Sequence, residues 1–490
     1  MSSTDFDVLI VGAGLSGIGA AVHLQQNCPN QTYAILEGRD AIGGTWDLFR
    51  YPGIRSDSDM YTLGYRFKPW KSAKAIADGP SIRSYIRETA TEHGINQHIR
   101  FGHKVQAAAW ASETARWTVT TPKGTLTCRF LYMCSGYYNY GQGHRPTWEG
   151  EAEFKGQIIH PQFWPETLNY TGKRVVVIGS GATAVTLVPA MADTAAHVTM
   201  LQRSPTWMVS RPGSDAIANF LKAILPAQMA YDLVRWKNVT MGQWFYKQTR
   251  NNPGKVREAL LKRLAKLLPA DYDLETHFTP GYNPWDQRLC LVPDADLFKA
   301  LSAGKAEIVT DQIAKFEAGG IRLKSGQLLE ADIIVTATGL KLEALGGMTV
   351  TVDGETRRTA DALAYKGMMF SGIPNLAQSF GYINASWTLR SDLIADYVCR
   401  LLKHMRKTGV DFATPTPAAD VVPERLAMDL QSGYVQRGAD ALPRSGNRAP
   451  WLVTADYKYD RKELLEGPVT DEMVFAKAHA AAAPMLEAAE

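Results

Sequence analysis

The stretch DVLIVGAGLSG, residues 7–17, predicts how the chain begins to fold. Its apolar, β-branched run is typical of a buried strand, and a helix-like segment, 18–26, follows it. Gly12, Gly14 and Gly17 form the spacing G-x-G-x-x-G. The first glycine makes a tight turn, the second lets the main chain approach a pyrophosphate, and the third lets the helix pack closely on the strand.

The next strand, TYAILE, ends in Glu37, 25 residues after Gly12. A carboxylate at this place can accept hydrogen bonds from the hydroxyl groups of an adenosine ribose, and the helix N-terminus offers N–H donors to the phosphates. Glycines alone are a weak signal because they punctuate many turns. Strand, glycines, helix, strand and acid in this order predict dinucleotide binding.

The same arrangement recurs in KRVVVIGSGATAV, residues 173–185. Gly179, Gly181 and Ala184 give the spacing G-x-G-x-x-A, and the strand HVTMLQRSP follows. Arg203, 24 residues after Gly179, stands in the place of the acid. A guanidinium cannot accept a hydrogen bond from a ribose hydroxyl, but it can pair with a 2′-phosphate, so this half predicts NADPH rather than NADH. The alternative is a solvated surface arginine.

Both halves continue in the same way after the second strand. RFLYMCSG ends at Gly136 and IIVTATG ends at Gly339, so each half has a buried strand that finishes in small residues. Small residues let the main chain pass close to a cofactor. One half with an acid and one with an arginine imply two nucleotides, FAD and NADPH. The predicted fold is α/β, with two Rossmann-like domains, and the chemistry is then redox.

The composition limits the other classes of function. Of 490 residues, 45% are hydrophobic and 21% are charged, and the length suggests about three domains. A formal charge of +4 gives nucleic-acid binding little support. Five scattered cysteines form neither a disulfide framework nor a metal site, so a reducing cytoplasm is the expected location. No window reaches the roughly 18 apolar residues of a membrane-spanning helix.

Residues 211–287 have helical spacing and few turn signals, which predicts a helical insertion. Within it, KVREALLKRLAKLL, residues 255–268, is a basic amphipathic helix. The apolar positions on one face are Val256, Ala259, Leu260, Leu264, Leu267 and Leu268. This helix either covers the core of the insertion or makes peripheral contact with an anionic membrane.

Residues 384–409 predict a long helix that ends at Gly409 and buries one face. Its N-terminus either faces a bound flavin, where the positive end of the helix dipole would stabilise the anionic reduced form, or belongs to an ordinary C-terminal helix. The final stretch, 477–490, is expected to be frayed.

Two further stretches resemble the fingerprints of one enzyme family. GGTWDLFRYPGIRSD, residues 43–57, and FKGQIIHPQFWP, residues 154–165, are similar at every specified position to the patterns of the flavin-dependent Baeyer-Villiger monooxygenases. The related flavin-containing monooxygenases usually end the second pattern in Tyr or Phe, so Trp164 and Pro165 favour the Baeyer-Villiger branch. YPGIRSDSDMYTLG and YNPWDQRLCLVP are most similar to the subgroup of the mycobacterial ethionamide-activating monooxygenase.

The resemblance implies roles for residues at the matching positions. Arg288 matches the family's catalytic arginine, and Asp57 matches the carboxylate that orients it beside the flavin. His160 matches a residue that holds the linker between the two domains and does not touch substrate. One position departs from the family pattern: Gln287 stands where many members carry a lysine that contacts the 2′-phosphate, so NADPH preference would rest mainly on Arg203.

The remaining implied residues contact the cofactors. For FAD they are Gly12, Gly14, Ser16, Gly17, Glu37, Thr45, Trp46, Asp47, Leu48, Asp57 and Val105, the last through its main chain. On the nicotinamide side they are Arg55 and Ser56. For NADPH they are Gly179, Ser180, Gly181, Ala182, Thr183, Ala184 and Val185 in the phosphate turn, with Arg203 and Ser204 at the 2′-phosphate.

The resemblance implies an NADPH- and O₂-dependent monooxygenase that converts ketones to esters or lactones through a C4a-peroxyflavin, with sulfur oxidation as a side activity. The alternative is a flavin N- or S-oxygenase that acts on soft nucleophiles. A disulfide reductase would need a redox cysteine pair, and neither C-x4-C nor C-x2-C occurs. The expected limits are 1–144 and 340–490 for the FAD domain, 145–210 and 288–339 for the NADPH domain, and 211–287 for the helical insertion.

Overall fold

The computed structural model describes residues 4–428 and 430–478, and the strands named here lie in those ranges. In chain order they are β1 (Thr4–Val11), β2 (Tyr33–Glu37), β3 (Ile99–Phe101), β4 (Ala107–Ala111), β5 (Arg116–Thr121), β6 (Gly124–Met133), β7 (Tyr138–Gly143), β8 (Gln157–Ile159), β9 (Arg174–Ile178), β10 (His197–Gln202), β11 (Met208–Arg211), β12 (Cys290–Pro293), β13 (Ala306–Thr310), β14 (Ile313–Glu317), β15 (Gly320–Leu323), β16 (Leu328–Glu330), β17 (Ile333–Thr336), β18 (Leu340–Leu342), β19 (Thr349–Val352), β20 (Glu355–Arg357), β21 (Ala364–Tyr365), β22 (Met369–Phe370), β23 (Leu376–Gln378), β24 (Phe412–Pro415), β25 (Pro423–Leu426), β26 (Arg444–Gly446) and β27 (Met473–Ala476).

The α-helices lie between these strands in the chain. They are α1 (Leu15–Asn27), α2 (Thr45–Leu48), α3 (Met60–Leu63), α4 (Gly79–Glu92), α5 (Ala182–Ala192), α6 (Ala216–Ile224), α7 (Ala227–Asn251), α8 (Pro253–Leu264), α9 (Leu274–Phe278), α10 (Asp296–Ser302), α11 (Trp387–Thr408), α12 (Gly433–Arg437) and α13 (Tyr457–Leu465). None of the described helices is long and apolar enough to cross a membrane.

The first sheet has the order β20-β19-β4-β5-β6-β1-β2-β3, and β23 also pairs with β6. Its centre is parallel: Ile10 of β1 lies between Ile35 of β2 and Tyr132 of β6. Val8, Ile10 and Ile35 are buried against α1 and α11, while alternate residues such as Leu9 face a second core on the other side of the sheet. Burial on both faces explains why the second half of β1, residues 8–11, is continuously apolar.

The second sheet is entirely parallel, with the order β13-β10-β9-β17-β8. Val177 of β9 pairs with Met200 of β10 and with Val335 of β17. Helices α5 and α10 cover one face, and the antiparallel strands β14-β15-β16 cover the other through residues such as Phe316 and Ile321. The α/β fold with two nucleotide-type sheets is therefore the one predicted.

The predicted helical insertion follows β11, which belongs to a separate two-stranded sheet with β12. Four helices, α6 to α9, occupy residues between β11 and β12, and these two strands then pair in parallel. The basic helix was predicted over 255–268, and α8 ends earlier, at Leu264. Leu260, Leu264 and Leu268 are buried, whereas Ala259 and Leu267 are exposed. The apolar face of this helix therefore mainly covers the core, one of the two roles expected from the sequence.

The chain after Thr408 is folded through residue 478. Strands β24 and β27 form one pair, β25 and β26 form another, and α13 packs on α11. Trp451 is completely buried against Tyr365. The expectation of a frayed end concerns 479–490 chiefly, and those residues lie outside the described ranges.

A buried charge cluster joins α1 to α11. His23 lies between Asp392 and Asp396, with ring-nitrogen to carboxylate distances of 3.4 Å and 3.1 Å. Arg66 and Arg235 also contact these carboxylates. Burial alone would lower the pKa of His23, but the hydrogen bonds and charges of the two aspartates raise the pKa to about 9. The histidine is therefore an imidazolium at neutral pH.

This cluster predicts that stability falls as the solution becomes alkaline. A raised pKa means that the contribution of His23 is complete below its ordinary pKa of about 6.5 and is lost as the pH rises through about 9. We expect the unfolding temperature to fall by a few degrees over this range, and His23→Gln to remove that part of the slope. Thermal unfolding of the unaltered protein and of His23→Gln, between about pH 6.5 and pH 9, measures this fall in unfolding temperature. Parallel profiles for the two proteins would contradict the assignment.

Candidate cofactor-binding and active site

A cavity of about 720 Å³ lies where both glycine turns open. Its wall includes Gly12 and Gly14 of the first turn, Gly179 and Gly181 of the second, and Arg288. Ligands of α/β sheets bind beyond the carboxyl ends of the strands, and both sheets present that edge here. The cavity is thus the place where the two predicted nucleotide sites meet.

The first glycine turn is closed too tightly for larger residues. Gly12 has φ +106°, and a Cβ there would lie 2.6 Å from the carbonyl oxygen of Cys134. A Cβ on Gly17 would lie 1.8 Å from the carbonyl oxygen of Gly12. Gly14 caps the N-terminus of α1 without a side-chain hydrogen bond to the helix, so the first N–H groups of α1 are free for a phosphate.

Glu37 ends β2 at the cavity wall, as the sequence predicts. Its carboxylate is buried and accepts hydrogen bonds from the N–H groups of Ala13 (2.8 Å) and Arg39 (2.9 Å). These bonds fix the carboxylate beside the turn while each oxygen retains a further lone pair. Val105 lines the same end of the cavity. Ser16, at the start of α1, accepts a hydrogen bond from the indole N–H of Trp387 (2.7 Å).

The segment expected to wrap the flavin is divided between two environments. Thr45 and Trp46 line the cavity. The carboxylate of Asp47 does not line the cavity, because ion pairs hold it in a cluster of arginines, and Leu48 packs against the core of the second sheet. The arginines around Asp47 are Arg39, Arg50, Arg83 and Arg87, at 2.9 to 3.4 Å. Asp47 thus fixes the shape of this segment.

The second glycine turn repeats the geometry of the first. Gly179 has φ +134°, and a Cβ there would lie 2.4 Å from the carbonyl oxygen of Ala337. Gly181 caps α5, and Ser180 Oγ is 2.7 Å from Thr206 Oγ1. Of the remaining predicted residues, Ala182 and Thr183 line the cavity, whereas Ala184 and Val185 lie on the buried side of α5, in the core of the second sheet.

Arg203 and Ser204 lie just beyond the end of β10 and outside the cavity wall. They remain close to the second turn, because Gly179 N donates to the carbonyl of Leu201 (2.8 Å) and Ser180 Oγ donates to the carbonyl of Ser204 (3.2 Å). The Arg203 side chain is exposed and forms no ion pair with any residue that the structure describes. It is free to meet an anion at the edge of the site.

Arg288 and Asp57 meet at the centre of the cavity although 231 residues separate them. Asp57 Oδ2 accepts hydrogen bonds from Arg288 Nε (2.9 Å) and Nη2, and each side chain keeps 32% of its surface exposed. The Asp57 charge raises the pKa of Arg288 well above its ordinary value. The cavity therefore contains a fixed, permanently charged donor with N–H groups still available.

Three tyrosines surround this guanidinium, and sequence reasoning missed all of them. Tyr137 and Tyr138 follow the small residues at the end of β6, and Tyr434 lies on α12. Burial raises the pKa of each phenol above its usual value, and Arg288 offsets part of that increase. The phenols are therefore neutral. The pair after Gly136 was a detectable signal, since it directly follows a cofactor-type strand end; nothing in the sequence near 434 indicated contact with Arg288.

Arg55 and Ser56, predicted on the nicotinamide side, also line the cavity. Arg55 forms a bidentate ion pair with Asp296, the first residue of α10, and the distance from Arg55 Nη2 to Asp296 Oδ1 is 3.3 Å. Ser56 Oγ donates to the carbonyl of Ser58 (2.7 Å) and accepts from its N–H (2.9 Å). Both residues shape the segment that carries Asp57 into the cavity.

The long predicted helix, α11, begins at the cavity. Ala385 and Trp387 line it, and the Trp387 ring stacks on Tyr137 with centroids 5.2 Å apart. The suggested electrostatic role of this N-terminus toward a flavin remains a prediction.

His160 lies away from the main cavity and holds the linker. Its Nδ1 accepts a hydrogen bond from the N–H of Gln162 (3.2 Å), so Nε2 carries the proton and donates to the carbonyl of Gly339 (3.3 Å). Burial lowers the pKa of His160, which favours this neutral form. This hydrogen bond joins the stretch FKGQIIHPQFWP to Gly339, just after the end of β17.

The residues present fit a flavin dinucleotide and a nicotinamide dinucleotide. Each glycine turn leaves a helix N-terminus free at the cavity, one with an acid and one with an arginine beyond it. Ser135 Oγ, at the cavity wall of the first sheet, is buried without a hydrogen-bond partner among the described residues. Buried hydroxyls are normally paired, so this atom has capacity for a ligand.

Comparison with known proteins agrees with this site. The sequence profile of the family described as pyridine nucleotide-disulphide oxidoreductase matches residues 9–229. FAD-containing monooxygenase EthA of Mycobacterium tuberculosis (strain ATCC 25618 / H37Rv) is 54% identical over 477 residues, which are 96% of this chain and 98% of that protein. The chain belongs to the FAD-containing monooxygenases.

Two solved structures share the fold of this chain. The oxidized steroid monooxygenase bound to NADP has a TM-score of 0.77 at 23% identity, and OTEMO in complex with FAD and NADP has a TM-score of 0.75 at 20% identity. Each comparison covers 97% of this chain and 100% of the other. At these identities the likeness establishes that this chain shares the fold of these two proteins.

The cysteines of this FAD-containing monooxygenase do not suit disulfide chemistry. All five lie in the described ranges and are free and buried. Cys134 and Cys290 line the cavity but belong to different sheets, and burial raises the pKa of both, that of Cys290 to about 12. Neither is a thiolate at neutral pH, and the thiolate is the form that reduces a disulfide.

Proposed function

We propose that the protein oxygenates ketones to esters or lactones, with NADPH and O₂ as co-substrates and sulfides as secondary substrates. The observation that carries the proposal is the Arg288 guanidinium, which Asp57 fixes in the cavity between the two glycine turns. In this proposal, 1–144 and 340–490 form the FAD domain, 145–210 and 288–339 the NADPH domain, and 211–287 the insertion.

The chain binds and aligns both nucleotides. Bound FAD, once reduced by NADPH, supplies the activated oxygen. The free N–H groups of α1 hold the FAD pyrophosphate, and Glu37 accepts the ribose hydroxyls. The free N–H groups of α5 hold the NADPH pyrophosphate, and Arg203 pairs with the 2′-phosphate.

Arg288 stabilises negative charge during oxygen transfer. When an oxygen nucleophile attacks a ketone carbon, charge develops on the carbonyl oxygen, and a fixed guanidinium nearby lowers the energy of that state. Asp57 holds two of the N–H groups, which leaves the others to face the reacting oxygens. The neutral phenols of Tyr137, Tyr138 and Tyr434 surround the arginine with a largely apolar shell, which strengthens its electrostatic effect.

The proposal is tested by product analysis with isotopically labelled dioxygen. The FAD-loaded protein is given NADPH and a plain aliphatic methyl ketone, and products are analysed by gas chromatography and mass spectrometry. We expect an ester with one labelled oxygen, the other labelled atom leaving as water, and one NADPH oxidised per ester. A sulfide is given in parallel. Labelled sulfoxide without any ester would support the N/S-oxygenase instead, and hydrogen peroxide as the sole product would exclude both.

A further inference from the structure

The molecule exposes an unusual amount of apolar surface on two neighbouring helices. Of the twelve large hydrophobic residues that are conspicuously exposed in the described ranges, eight lie between residues 217 and 244. They are Ile217, Phe220 and Ile224 on α6 and Met229, Leu233, Trp236, Met241 and Trp244 on α7, between 45% and 70% exposed. We call this set the α6–α7 apolar face. Contiguous patches of this kind mark interaction sites.

The helical spacing places four of these residues on one side of α7. Met229, Leu233, Trp236 and Trp244 recur at i, i+4, i+7 and i+15, so they share one side of α7 over about 22 Å. The opposite side is already used: Ala230, Tyr231 and Val234 are buried, and the Tyr231 hydroxyl donates to the carbonyls of Met60 and Tyr65. Packing within the chain therefore accounts for only one side of α7.

The charge around the face is predominantly positive. Residues 216–268 contain ten Lys and Arg against two Asp and Glu, whereas the rest of the chain contains 43 basic against 47 acidic residues. On α8 and in the turn that directly follows it, Lys255, Lys262 and Lys266 recur at i, i+7 and i+11, are exposed, and form no ion pair with the residues that the structure describes. They lie on the side of α8 opposite the buried Leu260 and Leu264.

We propose that the α6–α7 apolar face docks on the surface of an anionic lipid bilayer, with the lysines of α8 beside the headgroups. Exposed Trp, Phe and Leu next to Lys and Arg are the composition of interfacial helices, and tryptophan prefers the headgroup level. Such a contact was one of the two roles that the sequence left open for the apolar face of 255–268, the other being to cover the core of the insertion. That face is largely buried, so the apolar contribution comes from α6 and α7 and the basic one from α8.

The helix α7, which carries most of the apolar face, also contacts the loop before Arg288. The Tyr246 and Trp285 rings are 5.9 Å apart, and Arg250 Nη1 is 2.7 Å from Asp286 Oδ1. Asp286 precedes Arg288 by two residues. The end of α7 therefore contacts the loop that carries the arginine. The docking proposal does not depend on the reaction, because its test measures binding and not turnover.

Vesicle flotation with the full-length, FAD-loaded protein tests the proposal. We expect binding to vesicles that contain phosphatidylglycerol and much weaker binding to vesicles of phosphatidylcholine alone. Trp236→Glu should reduce binding at least tenfold, and the matched control Val422→Glu, an exposed valine elsewhere, should leave it unchanged. The triple change of Lys255, Lys262 and Lys266 to Gln should weaken binding roughly a hundredfold, since each basic residue near an anionic surface contributes about fivefold.

Tryptophan fluorescence gives a second measurement of vesicle binding, because Trp236 and Trp244 are the exposed tryptophans of the described ranges. Their emission should move to shorter wavelength with anionic vesicles. Unchanged NADPH-dependent reduction of FAD in Trp236→Glu shows that the variant is folded. Equal binding of Trp236→Glu and the unaltered protein would overturn the proposal. The proposal would also be overturned if the protein did not bind vesicles but self-associated, and Trp236→Glu abolished that self-association. The face would then be a contact between two copies.

Discussion

Replacing Arg288 with alanine is expected to lower the rate of ketone oxygenation by roughly 100- to 1000-fold, because a lost charge-stabilising donor typically costs about 2.7 to 4 kcal/mol of barrier. Reduction of FAD by NADPH should change little, since that step requires nucleotide alignment by α1 and α5 and not charge on a substrate oxygen. Stopped-flow absorbance without oxygen measures the reduction. Steady-state ester formation measures the oxygenation.

The matched control for Arg288→Ala is Arg250→Ala. Arg250 pairs with Asp286, close to Arg288 in the chain, but it lies outside the cavity wall. Its loss should leave both rates within about twofold. Arg288→Lys should recover only part of the oxygenation, because an ammonium keeps the charge but cannot reproduce the two-bond geometry with Asp57. Full-rate ester formation by Arg288→Ala would remove the basis of the proposed function.

The two nucleotide folds were predictable because their signals are local. A strand, a glycine turn and a helix lie within about 20 residues, and each glycine answers a steric demand that its neighbours impose. At Gly179, for example, a side chain would collide with Ala337. The sequence separation of Arg288 and Asp57 is large, and their pairing was accessible only through resemblance to a family whose pattern already linked them.

The tyrosine shell illustrates what local patterns do not contain. Tyr434 reaches Arg288 because α12 packs against β18, far from Arg288 in the chain, and a short helix such as α12 carries no periodic signal. Ser432 beside it accepts a hydrogen bond from the main-chain N–H of Arg288 (3.4 Å). Long-range contacts of this kind depend on how whole elements pack. No spacing rule within one segment encodes them.

The insertion shows a different limit of sequence reasoning. Periodicity identified 255–268 as amphipathic, and Leu260 and Leu264 are indeed buried. The same reasoning cannot decide which apolar side of α7 meets the core, because Tyr231 and Val234 on one side and Leu233 and Trp236 on the other are similarly apolar. Only the position of α3 determines which side is buried.

Replacing Arg203 with alanine is expected to raise the dissociation constant for NADPH by about 10- to 150-fold, because a charge-assisted contact contributes roughly 1.5 to 3 kcal/mol. Binding of NADH should be unchanged, since it has no 2′-phosphate. Anaerobic reduction of FAD over a range of NADPH and NADH concentrations measures both constants. The limiting reduction rate should stay the same, because Arg203 lies at the exposed end of β10 and outside the cavity.

The control for Arg203→Ala is Arg461→Ala, which removes an exposed arginine from α13. That variant should bind both nucleotides as the unaltered protein does. The effect of Arg203→Ala should also shrink as ionic strength rises, because salt screens an exposed pair. We expect Arg203 to carry this preference largely alone, because Gln287 stands at the cavity wall without a charge. Equal losses for NADPH and NADH would show that Arg203 supports the turn itself and does not recognise the 2′-phosphate.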